Sequence, residues 1–135
     1  MNEIIKWDEK YSVFDSEIDK QHKKLFEMIN AFYNSMATNH TNDGIQKVIA
    51  EMKAYALKHF AYEESVMKIK KYPRLANHQL NHKNFGDKVT ELEGKLKRGA
   101  PIMATDITKF LKDWIINHIL MEDKQYANYF KNNSI

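Results

Sequence analysis

The chain has 135 residues, 43% hydrophobic and 29% charged, with a formal net charge of +3. That balance fits one folded domain with a real core rather than a disordered chain, and so mild a charge gives only weak encouragement for nucleic-acid or anionic-membrane binding. There is no cysteine, so no disulfide staples the fold and no thiolate can bind a metal or attack a substrate.

Residues 1 to about 15 mix polar and aromatic side chains without helical period. They read as an extended arm, with Trp7, Tyr11 and Phe14 packing onto the rest of the chain. The arm contains no apolar run of signal-peptide length. No stretch approaches the ~20 apolar residues of a membrane span, so the expected compartment is the cytoplasm.

A first helix is predicted over about 16–38, capped by Asp15 or Ser16. Its apolar stripe is Ile18, Leu25, Phe26, Ile29 and Phe32, and His22 falls inside it. Thr41 or Asn42 caps a second helix over about 43–70. Its stripe runs through Ile45, Val48, Met52 and Tyr55 to His59 and Glu63, and Pro73 ends it. The third helix, about 74–98, buries Leu75, His78, His82, Phe85, Val89, Leu92 and Leu96 in a seam spaced by threes and fours. Gly86 and Gly94 read as marks of close helix contact, and Gly99 with Pro101 as a stop. The fourth helix, about 105–131 with a break near 120, buries Ile107, Leu111, Trp114, Ile115, His118 and Ile119. Short loops between four amphipathic segments define an all-α, antiparallel up-down four-helix bundle with an extended N-terminal arm and a short C-terminal helix.

Five histidines lie on core-facing stripes: His22, His59, His78, His82 and His118. A buried imidazole without a partner costs roughly 1–3 kcal/mol, against a native stability of only ~5–15 kcal/mol. A shared metal centre satisfies all five together. Glu63, a carboxylate four residues after His59 on the same stripe, needs a cation even more. Glu64, about 100° round the helix, is assigned to solvent. On the fourth helix the carboxylate is Glu122 or Asp123, and straight helical spacing prefers Glu122. Imidazole with carboxylate suits iron, zinc, copper or manganese. Seven ligands exceed the four of a typical zinc site, so two metals bridged by carboxylates fit better.

These residues resemble the hemerythrin family, in particular its single-domain bacterial members. The carrying motifs are His22 alone, then HFAYE (His59, Glu63), HQLNH (His78, His82) and HILMED (His118, Asp123). The resemblance implies a bundle holding two non-haem irons that bind dioxygen reversibly. It places His78, His82 and His118 on one iron and His22 and His59 on the other. Glu63 and Asp123 bridge the pair with an oxo or hydroxo group. It therefore selects Asp123 over Glu122, which requires a helix bent or over-wound just after His118. The His22–His59 iron has one ligand fewer, and dioxygen is expected there. The resemblance also implies an O2 pocket lined by Leu25, Phe60, Trp114, Ile115 and Ile119, with Trp7 and Tyr126 packed near it. Ile115 departs from the leucine common in the family.

The implied function is oxygen storage, delivery or scavenging, not enzymatic turnover. An O2-consuming or signalling partner is compatible with it, but no nucleic acid or membrane span. The competing readings are an O2 or nitric oxide sensor acting through a partner and a di-iron peroxidase or iron-storage protein.

Overall fold

A computed structural model describes residues 4–13, 15–37, 42–99 and 104–133. Among these described residues five α-helices follow an arm: α1 (Ser16–Ala37), α2 (Asn42–Ile69), α3 (Leu75–Lys97), α4 (Ala104–Asn117) and α5 (Lys124–Asn133). A π-helical turn, His118–Asp123, joins α4 to α5, so the two form one interrupted fourth rod. The fold is an all-α four-helix bundle: α1 packs on α2 and α4, and α2 on α3. Phe85 of α3 meets Trp114 of α4 with ring centroids 4.4 Å apart, closing the square. Among the described residues no helix is long and apolar enough to cross a membrane.

Asp15, not Ser16, caps α1: its Oδ1 accepts the Ile18 N–H at 3.0 Å. The expected caps of the next helix include Thr41, and the expected arm anchors include Phe14. Both lie outside the described residues, as does Pro101. The arm is tied down by side chains of α1. Asn30 accepts the Ile4 and Ile5 N–H groups (2.9 and 3.2 Å) and donates to the Ile5 carbonyl. Asp19 accepts from Ser12 Oγ (2.6 Å) and the Val13 N–H (2.9 Å). Between these anchors a short 3-10 turn, Glu9–Tyr11, sets Tyr11 and Trp7 against Phe26.

The helix ends follow from backbone chemistry. At the end of α2 the Tyr72 N–H bonds the Met67 carbonyl and the Lys71 N–H bonds that of Lys68. Lys71 is left-handed at φ 56°, a conformation a non-glycine residue adopts at ~1–2 kcal/mol, and Pro73 follows. Gly99 takes φ 70° after α3, as expected of a residue that costs nothing there. The other glycines differ from expectation. A Cβ on Gly86 would sit 3.7 Å from Leu57 Cδ2, ordinary contact, and one on Gly94 would meet only Arg98 of its own helix. Close helix approach therefore does not demand either.

Buried side chains form two apolar layers. The larger includes Leu25, Phe26, Ile29, Met52, Ala56, Phe60, Phe85, Leu111, Ile115 and Ile119. The smaller holds Val13, Ile18, Met67, Tyr72, Tyr126 and Ala127. Along every rod the charged and imidazole residues fall between them: Ile18–His22–Leu25 on α1, Met67–Glu63–His59–Ala56 on α2.

Candidate metal centre

His22, His59, Glu63, His78, His82, His118 and Asp123 are all buried, with Glu63 and Asp123 at 0% exposure. They converge in that polar layer. One donor atom each from Glu63, His78, His82 and His118 lies within 4.8 Å of the others, and a second such group is His22, His59 and Glu63. Glu63 is common to both. Its Oε2 faces His22 Nε2 (3.3 Å) and His59 Nε2 (3.5 Å), and its Oε1 faces His82 Nε2 (3.2 Å) and His78 Nε2 (3.8 Å). Asp123 divides itself in the same way: Oδ2 lies 3.1 Å from His22 Nε2, while Oδ1 lies 2.9 and 3.0 Å from the Nε2 atoms of His78 and His118.

Asp123 reaches the centre because the chain after His118 is a π turn. A π turn bonds i to i+5 and winds more slowly than an α-helix. The fifth residue then falls where the fourth would in a straight helix. This corrects the expected over-winding: the helix is locally under-wound.

Three imidazoles are oriented from behind. His59 Nδ1 donates to Gln21 Oε1 (2.6 Å), His82 Nδ1 to Glu64 Oε2 (2.7 Å) and His118 Nδ1 to Asn81 Oδ1 (2.6 Å). Carboxylate and amide oxygens only accept, so the proton sits on Nδ1 and the Nε2 lone pair points inward. Two such lone pairs, on His82 and His118, face each other at 3.1 Å. The remaining inward atoms, including His22 Nε2, His59 Nε2, His78 Nε2, Glu63 Oε1 and both oxygens of Asp123, have no hydrogen-bond partner. Buried donors and acceptors are normally satisfied, and facing lone pairs repel. A cation between them resolves both, so the residues fit a metal pair.

Without a bound ion, protons take part of that role. Burial is the largest influence on His22 and opposes its charge, but Asp123 and Glu63 outweigh it and lift the imidazole to about 10. His78 is lifted to about 9 against burial by the same two carboxylates. Burial dominates at His59, pushing it down to about 4, and it also lowers His118. Burial pushes Glu63 and Asp123 upward, yet the surrounding imidazoles hold both below the usual carboxylate range. The Tyr126 hydroxyl, also buried, donates to Glu63 Oε2 at 3.0 Å.

The apolar residues expected around a gas pocket divide between two roles. Phe60 stacks on His82 (3.9 Å, 8°) and Trp114 on His118 (4.5 Å, 11°), so both cover the three-histidine side. Leu25, Ile115 and Ile119 belong to the larger apolar layer beneath. Tyr126 touches the centre directly, whereas Trp7 packs on Tyr11 and Phe26.

Glu64 overturns its assignment to solvent: its side chain is only 26% exposed and holds His82. Gln21 and Asn81 carried no recognisable signal. Each precedes a candidate ligand, but each serves an imidazole on a different helix, which no local spacing reveals.

This fold and this arrangement of donors define a metal-binding four-helix bundle. The family model described as Hemerythrin HHE cation binding domain matches residues 13–130. A bacteriohemerythrin of Methylococcus capsulatus is 33% identical over 109 residues, covering 81% of this chain and 82% of the relative. One from Stenotrophomonas maltophilia is 30% identical over 95% of this chain and 82% of its own length. A myohemerythrin of Theromyzon tessulatum is 35% identical over 92% of each. The solved structure of a wild-type hemerythrin superposes with a TM-score of 0.86 at 29% identity, covering 93% of this chain and 96% of that one. The chain belongs to the hemerythrin family.

Proposed function

We propose that the protein binds dioxygen reversibly at a non-haem di-iron centre, for oxygen storage, delivery or scavenging. The observation that carries this reading is the sharing of carboxylates. Glu63 and Asp123 each present one oxygen to His22 and the other to the three-histidine group, as a pair of bridged ions requires. His78, His82 and His118 would hold one iron, His22 and His59 the other, with a solvent-derived oxo or hydroxo group between them. Reduced irons at these positions would supply the electrons that dioxygen takes up on binding and returns on leaving.

The protein's own part is placement and dryness. The His22–His59 position has one imidazole fewer, leaving room there for a small ligand. Tyr126 donates to Glu63 Oε2 and would fix the orientation in which that carboxylate serves both positions. Phe60 and Trp114 shield the His82 and His118 rings, and apolar walls keep out the water and protons that would release peroxide. With only two carboxylates directly facing five imidazoles, the centre donates less electron density than carboxylate-rich bundle sites, which favours reversible binding over oxygenation.

The test is anaerobic iron loading followed by an oxygen titration read in the visible spectrum. Two irons per chain, and one dioxygen per iron pair recovered under vacuum, are expected. Catalytic consumption of peroxide or ferrous iron without reversible uptake would replace this reading with an enzymatic or storage role.

A further inference from the structure

Three imidazoles of the centre have a side-chain acceptor at Nδ1, and the acceptors are chemically unequal. Gln21 behind His59 and Asn81 behind His118 are neutral amides, while Glu64 behind His82 is a carboxylate at 2.7 Å. His22 Nδ1, on the other side, is buried with no partner at all. The His82 ring is clamped flat against Phe60 with Nδ1 on Glu64 and Nε2 toward Glu63. Glu64 itself lies in a groove between α2 and α3 lined by Lys53, Gln79 and Lys83, with its side chain 26% exposed. A partly desolvated charge is screened less than a surface one.

We propose that Glu64 is a positioning residue that biases the redox balance of the centre, making His82 its strongest donor and the three-histidine position the one that holds ferric iron more firmly. This rests on the di-iron reading above. A carboxylate accepting the outer N–H raises the basicity of the inner nitrogen. Its negative charge also lowers the energy of Fe(III) more than that of Fe(II). At the His22–His59 position no carboxylate touches an outer ring nitrogen: His22 Nδ1 has no hydrogen-bond partner, and Glu17, exposed, stands one hydrogen bond further out on Gln21 Nε2, so the two irons are inequivalent beyond their ligand count. In the half-reduced protein the ferric ion is placed at the three-histidine position, and the ferrous ion at the position with room for a ligand.

The experiment compares the parent with Glu64→Gln and Gln21→Glu by anaerobic potentiometry of the iron-loaded protein, with iron content and helicity measured in each. Glutamine at 64 keeps an acceptor oxygen for His82 and removes only the charge. At the parent's midpoint the ferric-to-ferrous ratio of Glu64→Gln is expected to fall about tenfold, a shift of about 59 mV for one electron. Gln21→Glu is expected to raise the ratio. Both variants are expected to keep two irons. An unchanged ratio in folded, fully loaded Glu64→Gln would overturn the proposal, because a purely structural hydrogen bond survives that substitution. Loss of an iron from Glu64→Gln would overturn it in favour of a binding role. Failure of the oxygen-binding reading is separate: a two-iron parent that takes up no dioxygen leaves the potentiometric comparison intact. A parent that takes up no iron overturns both.

Discussion

Each oxygen of Asp123 meets a different set of imidazoles, Oδ2 at His22 and Oδ1 at His78 and His118. Asp123→Ala therefore removes a donor from both positions at once. It is expected to lose iron, whereas Glu122→Ala, one residue earlier and only half-buried, keeps it. Iron per chain after loading and desalting decides between them, and the reverse result would unseat Asp123 as a bridge. Ile115 calls for a different experiment. It is 4% exposed within the apolar layer that also holds Leu25, Phe60 and Ile119, so truncation to alanine costs ~2–5 kcal/mol. If that layer lines the gas path, Ile115→Ala speeds both dioxygen release and autoxidation with iron content unchanged. Stopped-flow release and decay of the oxygenated spectrum measure this. Parent-like rates in a folded, loaded variant would make Ile115 core alone.

At the scale of elements, the π turn is the feature that sets the site. It amounts to one extra residue in a helix whose register before and after is otherwise continuous. Met121 lies in it and is 63% exposed, so it serves no packing role. Deleting Met121 would place the aspartate four residues after His118 in an uninterrupted α-helix and leave the α5 register, with Tyr126, where it is. The expected outcome is two irons per chain and unchanged helicity by circular dichroism. Iron loss would mean that the π backbone itself, not only the register it provides, aims Asp123. Much of the rest of the element plan is readable from pattern, since apolar spacing by threes and fours reports which face is buried. The π turn is not readable that way: HILMED has unbroken helical character, and the turn goes with contacts Asp123 makes to His22 and His78 on other rods as well as to His118 on its own.

For the whole molecule, the buried charges link stability to pH. In the ion-free protein His22 and His78 rise from 6.5 to about 10 and about 9. Raised pKa values mean that their stabilisation is full below the unfolded value of 6.5 and is lost as pH climbs through about 9 to 10. Glu63 and Asp123 are depressed, so their contribution is present above the unfolded carboxylate range and is lost as pH falls through their lower folded values. His59, lowered to about 4, must stay neutral when folded, which costs stability between 6.5 and 4. The ion-free protein is thus expected to be most stable near pH 6.5, losing stability below it through His59 and above it, up to about 9 to 10, through His78 and His22. Metal replaces the protons on His22 and His78, so loading should raise the melting temperature and abolish the alkaline decline. Thermal melts of both forms across pH provide the check. An ion-free protein whose stability is flat from neutral to alkaline pH would contradict the charged pairs.

Four helices, an arm, and five imidazoles with a glutamate on buried faces could all be read along the chain. Periodicity is a local property, and the cost of burying a polar group is known before any contact is seen. The HILMED spacing also carried Asp123, though only through the family motif, since straight helical geometry favoured its neighbour. What lies between helices came only with their packing. It set which oxygen of Glu63 and Asp123 faces which imidazole, and that Gln21 and Asn81 orient rings on other rods. It also turned Glu64 from solvent onto His82. These are distances between residues far apart in the chain, settled when four rods pack around one polar layer, and no spacing along a single helix encodes them.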